Sequence, residues 1–367
     1  MKKIERVIIS GGGTGGHIFP AIAIANEIKK RNPEANILFV GAEGKMEMEK
    51  VPQAGYSIVG LPIRGLQRKF TLTNFLLPFK IIKSLLKARK TIKEHKPELV
   101  IGVGGYASGP TLMAASWQKI PTIIQEQNSF AGKTNIILGK KANKICVAYA
   151  GLEQFFPKDK IVLTGNPVRN EMVDINDKRD SAIEHFKFQS DKKTVLIIGG
   201  SLGARTLNNS VFNGLISLQE KNIQVIWQCG KLYKKTLEEK LQNHNLDNII
   251  LTDFIARMDF AYAAADVVVS RAGAISVSEL CLVGKPTILV PSPNVAEDHQ
   301  THNAMALVNK DAAILVKDNV AEKELVSTLI SLVENKEEQK KLASNITQLA
   351  KPRATEDIVN TLTDVLL

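Results

Sequence analysis

The chain has 367 residues, 44% hydrophobic and 23% charged, with a mean hydropathy of −0.03, the profile of a globular protein long enough for two or three domains. Forty-eight Lys and Arg against 37 Asp and Glu leave a formal net charge of +11, which calls for an anionic partner: nucleic acid, anionic lipid or a phosphorylated substrate. Disorder, collagen and coiled coil are excluded, and Cys146, Cys229 and Cys281, odd in number and widely spaced, argue against a disulfide framework or zinc knuckle and for a reducing cytoplasm.

In chain order, the apolar run Val7-Ile8-Ile9 enters a glycine cluster, a helical pattern begins at Pro20, and a second apolar run covers 37–40. That is β-loop-α-β. The longest uncharged runs, 7–26 and 99–118, each contain glycines and a proline, so neither a signal peptide nor a transmembrane helix is predicted. Further strands are predicted at 99–103, 122–124 and 145–148, giving a mostly parallel sheet with helices on both faces. After Gly165-Asn166-Pro167 and a charge-rich stretch around 174–193 the pattern restarts, with strands predicted at 194–198, 225–228, 249–251, 267–270 and 286–290. The expectation is an α/β protein of two Rossmann-like domains facing across a cleft. The first is 1–167, the second 168–351, and a last helix at 352–367 packs back on the first. Ligands belong at the carboxyl ends of the strands.

Gly11-Gly12-Gly13-Thr14-Gly15-Gly16-His17 satisfies G-x-G-x-x-G between a strand and a helix, where backbone N–H groups approach a diphosphate. A dinucleotide site, with Glu43 as its ribose acid, is the ordinary reading. The five glycines and the imidazole that follows also suit a general base beside a phosphate or sugar, and a locally bonded helix-end histidine is the bland alternative. A second glycine loop, Gly199-Gly200-Ser201-Leu202-Gly203-Ala204-Arg205, again joins strand to helix. The small-residue segment Ala274-Ile275-Ser276-Val277-Ser278-Glu279 reads as another helix start, where a diphosphate on the first turn would leave Glu279 to accept from ribose hydroxyls. The polar loop 293–300, ending in Gln300, suits sugar hydroxyls. Gly104-Gly105-Tyr106 and Gln125-Glu126-Gln127-Asn128 follow strands of the first half, with Glu126 an alternative base. No D-x-D, H-E-x-x-H or Walker motif occurs, so no metal is predicted and leaving-group charge falls to helix ends.

Residues 61–100 hold ten Lys or Arg against two Glu. Within them Arg64, Arg68, Lys69, Lys80 and Lys83 adjoin Phe75, Leu76 and Phe79, a candidate membrane-surface element whose alternative is a solvated helix face. Aromatics amount to 5% and do not interleave with the basic residues, which speaks against nucleic acid.

Together these motifs, with Gly165-Asn166-Pro167-Val168-Arg169 and Arg271-Ala272-Gly273-Ala274, resemble the MurG family, the UDP-N-acetylglucosamine:lipid I N-acetylglucosaminyltransferases of bacterial peptidoglycan synthesis. The resemblance implies a glycosyltransferase B-type fold, no cofactor and no metal, and a peripheral place on the cytoplasmic face of the inner membrane. It implies that the second domain holds UDP-GlcNAc, with Glu279 on the ribose, the backbone at Ile255 on uracil, Ser201 and Ala274–Ser278 on the diphosphate, and Arg169 near the nucleotide. Thr14, Gly15, Gly16, Asn128 and Gln300 would surround the sugar. The first domain's glycine loops, including Tyr106, would face lipid I, its lipid tail along the patch at 64–90. The implied reaction is an inverting attack by the N-acetylmuramyl 4-hydroxyl, forming a β-1,4 bond, with His17 as first choice of base and Glu126 as second. The rivals are a UDP-GlcNAc 2-epimerase of the same fold, an NAD-dependent oxidoreductase and a non-catalytic protein binding anionic membrane or nucleic acid.

Overall fold

Val7, Ile8 and Ile9 point alternately into two apolar layers, and that alternation sets the architecture of the N-terminal half. Val7 and Ile9 are buried with Ile18, Ile24, Ile28 and Leu362, whereas Ile8 is buried with Ile92, Val100 and Leu112 on the opposite face. A strand covered on both sides needs an unbroken apolar run, each fully buried side chain contributing about 1.5–3 kcal/mol. The computed structural model describes residues 3–63, 77–168, 173–200, 202–244 and 246–367. They fall into two units, Met1–Val168 with Arg353–Leu367, and Arg169–Pro352.

The first unit carries strands β1 (Arg6–Ser10), β2 (Asn36–Ala42), β3 (Ser57–Leu61), β4 (Leu99–Gly102), β5 (Thr122–Glu126), β6 (Lys144–Val147) and β7 (Ile161–Leu163). All pair in parallel in the order β3-β2-β1-β4-β5-β6-β7. Around them lie α1 (Gly15–Arg31), α2 (Glu47–Gln53), α3 (Leu77–His95), α4 (Ser108–Trp117) and α5 (Lys133–Gly139). The helix expected from Pro20 begins at Gly15 instead. Thr14 is the extended N-cap at φ −144°, and Pro20 lacks only the N–H that would reach back to Gly16.

The second unit carries α6 (Arg179–His185), β8 (Thr194–Ile198), α7 (Arg205–Asn213), α8 (Leu215–Glu220), β9 (Gln224–Gln228), α9 (Lys234–Leu241), β10 (Ile249–Thr252), α10 (Met258–Ala264) and β11 (Val267–Ser270). It continues with α11 (Ala274–Val283), β12 (Thr287–Leu289), α12 (His299–Val308), β13 (Ile314–Leu315), α13 (Ala321–Glu334) and α14 (Lys336–Thr347). Its parallel sheet runs β10-β9-β8-β11-β12-β13. Trp227, fully buried in its core, donates its indole N–H to Asn208 Oδ1 at 2.9 Å. The last helix, α15 (Ala354–Val365), belongs to the first unit. Arg31 on α1 donates to Asn360 Oδ1 and the Glu356 carbonyl, while Ile358, Val359 and Leu362 enter the first core.

In each sheet the strand order reverses once, between β1 and β4 and between β8 and β11. Loops leaving such a switch point diverge and expose a crevice at the strand ends.

Candidate active site

At the first switch point the loops after β1 and β4 touch. Gly12 N–H donates to the Gly104 carbonyl at 3.3 Å. A Cβ on Gly105 would sit 2.3 Å from the Gly12 carbonyl oxygen, and one on Gly104 would sit 2.9 Å from the His17 ring. Both glycines have positive φ, 86° at Gly105 and 91° at Gly104, so this approach is closed to other residues on two counts. His17, half-buried at the start of α1, places Nδ1 3.0 Å from the Gly12 carbonyl and 3.4 Å from Thr14 Oγ1. A carbonyl only accepts, so the neutral ring carries its proton on Nδ1 and Nε2 is the basic nitrogen. Thr14 and Gly16 are exposed beside it, Gly15 is half-buried, and Tyr106 is 50% exposed at the neighbouring loop.

Glu126 is 1% exposed. Its Oε1 accepts from Asn128 N–H and Nδ2, and its Oε2 from Gly132 N–H and Asn135 Nδ2, at 2.8–3.3 Å. This geometry gives Glu126, the second choice of base, a structural task. A buried carboxylate filled by four donors holds the β5–α5 loop, and with it Asn128, in place.

Glu47, absent from the sequence-derived site, is as deeply buried. It accepts from Ala42 N–H and from Gly13 N–H, both at 2.9 Å. The run Lys45-Met46-Glu47-Met48-Glu49-Lys50 reads as a solvated helical turn and carried no signal for this role.

On α3, Phe79, Ile82 and Leu86 are 71%, 56% and 62% exposed. Lys80 is half-buried and Lys83 exposed on the same helix. The adjoining α4 adds Met113 and Trp117, 37% and 55% exposed, which sequence reasoning missed because they lie beyond the charge run. Arg64, Arg68, Lys69, Phe75 and Leu76 lie outside the described residues, as do Arg169 and Ser201.

At the second switch point the glycine loop after β8 packs on the loop after β9. A Cβ on Gly203 would sit 2.1 Å from the Cys229 carbonyl. Ala274, Ile275 and Ser276 form the first turn of α11, with Gly273 as extended N-cap. Their N–H groups lie at the positive end of the helix, the arrangement that receives phosphate. Val277 is buried, with its N–H on the Gly273 carbonyl, and Ser278 Oγ donates back to the Ala274 carbonyl. Glu279, half-buried further along, accepts from Tyr262 OH at 3.4 Å. Ile255 is 5% exposed at the loop after β10. Gln300 Oε1 accepts from Ser292 N–H at 2.9 Å, which ties the β12–α12 loop to the helix that follows. In that loop Glu297 and Asp298 both have positive φ, 54° and 49°, strained for residues with a Cβ. Among the described residues no group of three or more His, Cys, Asp or Glu could hold a metal ion, and no helix is long and apolar enough to cross a membrane.

Models of the glycosyltransferase family 28 N-terminal and C-terminal domains match residues 7–147 and 194–358. Over 355 residues the chain is 57% identical to the UDP-N-acetylglucosamine-N-acetylmuramyl-(pentapeptide) pyrophosphoryl-undecaprenol N-acetylglucosamine transferase of Flavobacterium psychrophilum, covering 97% of this chain and 96% of the relative. The chain belongs to the MurG family. The Parabacteroides distasonis transferase of the same name is 55% identical, covering 98% of both chains. The crystal structure of Acinetobacter baumannii MurG is 30% identical, with a TM-score of 0.80 over 98% of this chain and 99% of that one. The MurG family assignment and the two doubly wound sheets make the fold that of the B-type glycosyltransferases.

Proposed function

We propose that this chain is an inverting glycosyltransferase that moves N-acetylglucosamine from UDP-N-acetylglucosamine to the 4-hydroxyl of the N-acetylmuramyl unit of lipid I, forming the β-1,4 bond of lipid II. The observation that carries the chemistry is the seat of His17. With Nδ1–H on the Gly12 carbonyl, Nε2 is the nitrogen that takes the acceptor hydroxyl's proton. The oxygen's electron pair then forms the new bond to the anomeric carbon while UDP departs with the old one.

The donor is assigned to the second unit. Glu279 accepts from the ribose hydroxyls, the backbone at Ile255 reads uracil, and the first turn of α11 meets the diphosphate, its dipole offsetting the charge that grows on the leaving group. Ser201, Arg169, Asn128 and Gln300 are assigned to the diphosphate, nucleotide and sugar as the family pattern implies. Lipid I falls to the first unit. There the exposed apolar residues of α3 and α4, flanked by Lys80 and Lys83, suit an anionic membrane surface at the cytoplasmic face of the inner membrane.

The deciding experiment is UDP release from UDP-GlcNAc with excess EDTA, with and without a short-chain lipid I analogue. Release that requires the acceptor and survives EDTA is expected. Release without acceptor would replace the transferase reading by a 2-epimerase or hydrolase. His17→Ala should lower kcat by about 100-fold or more with donor binding retained.

A further inference from the structure

A carboxylate, one peptide group and an imidazole lie in series in the first unit. Glu47 Oε2 accepts the Gly13 N–H at 2.9 Å. The carbonyl of that same peptide group, the Gly12 carbonyl, lies 3.0 Å from His17 Nδ1. We propose that Glu47 is the positioning residue for His17, acting through the Gly12–Gly13 peptide as the carboxylate of a relay whose middle member is a backbone amide. The proposal rests on the reading of His17 as general base and adds the group that sets its tautomer.

The physical basis is hydrogen-bond cooperativity. An amide N–H held by a carboxylate pushes electron density onto its own carbonyl, which becomes a stronger acceptor for the next donor. The Nδ1–H tautomer is thereby favoured, and the imidazolium formed when Nε2 takes the hydroxyl proton faces a strengthened carbonyl dipole. Glu47 itself takes no proton; it does for His17 what a directly bonded carboxylate does in a hydrolase triad, one peptide group removed.

The loop is built around this carboxylate. Ala42 N–H, at the end of β2, anchors Oε1 to the sheet, so Oε2 is held against the glycine loop by a fixed element. A Cβ on Gly12 would lie 2.2 Å from Oε1, and one on Gly41 2.6 Å from the Glu47 Cγ. Two glycines therefore clear the space that a buried, backbone-bonded glutamate fills. Such a group needs partners, because a buried charge without them strongly destabilises the fold.

The test uses the full-length protein labelled with ¹⁵N-histidine, comparing wild type with Glu47→Gln, Glu47→Asp and, as a control on the same helix, the exposed Glu49→Gln. Long-range ¹H–¹⁵N spectra should place the neutral His17 proton on Nδ1 in the wild type and show mixed tautomers in Glu47→Gln. Alongside, kcat should fall about 10- to 100-fold while KM for UDP-GlcNAc stays within about twofold. Glu47→Asp should recover part of the loss, and Glu49→Gln should match wild type. A merely structural Glu47 would lower the folded fraction without moving the tautomer. Glu47→Gln with an unchanged tautomer and kcat overturns the proposal, as does an Nε2–H tautomer in the wild type, which decides the matter even if Glu47→Gln fails to fold. His17→Ala with undiminished turnover would instead remove the base reading, and with it the relay's catalytic role, while the spectra would still report the hydrogen-bond series.

Discussion

The Arg271 guanidinium and the Asp318 carboxylate meet at 2.5 Å at the carboxyl edge of the second sheet, and between them they hold three loops. Arg271 Nη1 also donates to the carbonyls of Val290 and Pro291, at the start of the loop that leads to Gln300. The other Asp318 oxygen accepts from Thr206 Oγ1, in the first turn of α7 behind the second glycine loop. The pair is 14% and 19% exposed, so solvent screens it only in part. Asp318→Ala leaves a mostly buried guanidinium without its carboxylate and frees Thr206. The expected result is a loss of about 2–3 kcal/mol of stability, below the range for a fully buried pair, and a raised KM for UDP-GlcNAc. Urea denaturation and a donor titration check it, and an unchanged donor KM would show that the three loops do not depend on this clamp.

Glu279 offers a sharper test of the donor site, because the ribose reading predicts a dependence on particular hydroxyls. Glu279→Ala should weaken UDP binding about 10- to 100-fold, the worth of one or two hydrogen bonds to a charged group. UDP lacking the ribose hydroxyls should bind wild type correspondingly weakly and Glu279→Ala no worse than UDP itself. Tyr262→Phe removes only the 3.4 Å bond to the same carboxylate and should cost less than tenfold. Additive losses for variant and deoxy ligand, measured by calorimetry, would separate Glu279 from the ribose.

The two α/β sheets were legible in the sequence because their central strands are buried on both faces and so are written as unbroken apolar runs. The apolar runs at 194–198 and 267–270 coincide with β8 and β11 to the residue. The strands missed, β3, β7 and β13, are edge strands, only partly covered, and Ser57–Leu61 mixes exposed and buried positions with a glycine. The site divides in a similar way. Glycine loops and the small-residue start of α11 announce themselves, since close backbone approach demands those residue types. The roles of carboxylates do not. Glu47 and Glu126 are distinguished from surface glutamates only by the backbone and amide donors that the fold brings to them, donors that any residue could contribute and no pattern records.

Acid should weaken the second unit in part through Asp259. The paired guanidinium of Arg257, at 2.8 and 2.9 Å, holds the Asp259 carboxyl well below the usual carboxylate range; burial opposes this and Lys178 at 3.2 Å adds to it. A carboxyl with a depressed folded-state pKa stabilises the fold at pH above its unfolded value, near 4, and that contribution disappears as pH falls below it. Arg257→Ala should therefore flatten the decline of the urea midpoint between about pH 4 and 2, besides removing the guanidinium stacked 3.6 Å over the Phe260 ring. Parallel wild-type and variant curves would place the acid sensitivity elsewhere.

The exposed apolar residues of α3 carry the membrane prediction. Phe79, Ile82 and Leu86 recur at helical spacing, with Lys83 on the same helix, so the segment presents a greasy strip edged with positive charge. Inserting one such side chain is worth about 1–3 kcal/mol, and each lysine near an anionic surface about 1 kcal/mol. Phe79→Asp together with Ile82→Asp should reduce sedimentation with phosphatidylglycerol vesicles by tenfold or more, at roughly 1.4 kcal/mol per factor of ten, with an unchanged circular dichroism spectrum because both side chains face solvent. Lys83→Glu should weaken binding at low salt and lose its effect as salt is raised, since the Debye length shrinks to about 3 Å at 1 M. The two substitutions thus separate insertion from attraction. If the double apolar variant binds vesicles as wild type does while Lys83→Glu does not, the helix touches lipid by charge alone, and the polyprenyl chain of the acceptor must be received elsewhere.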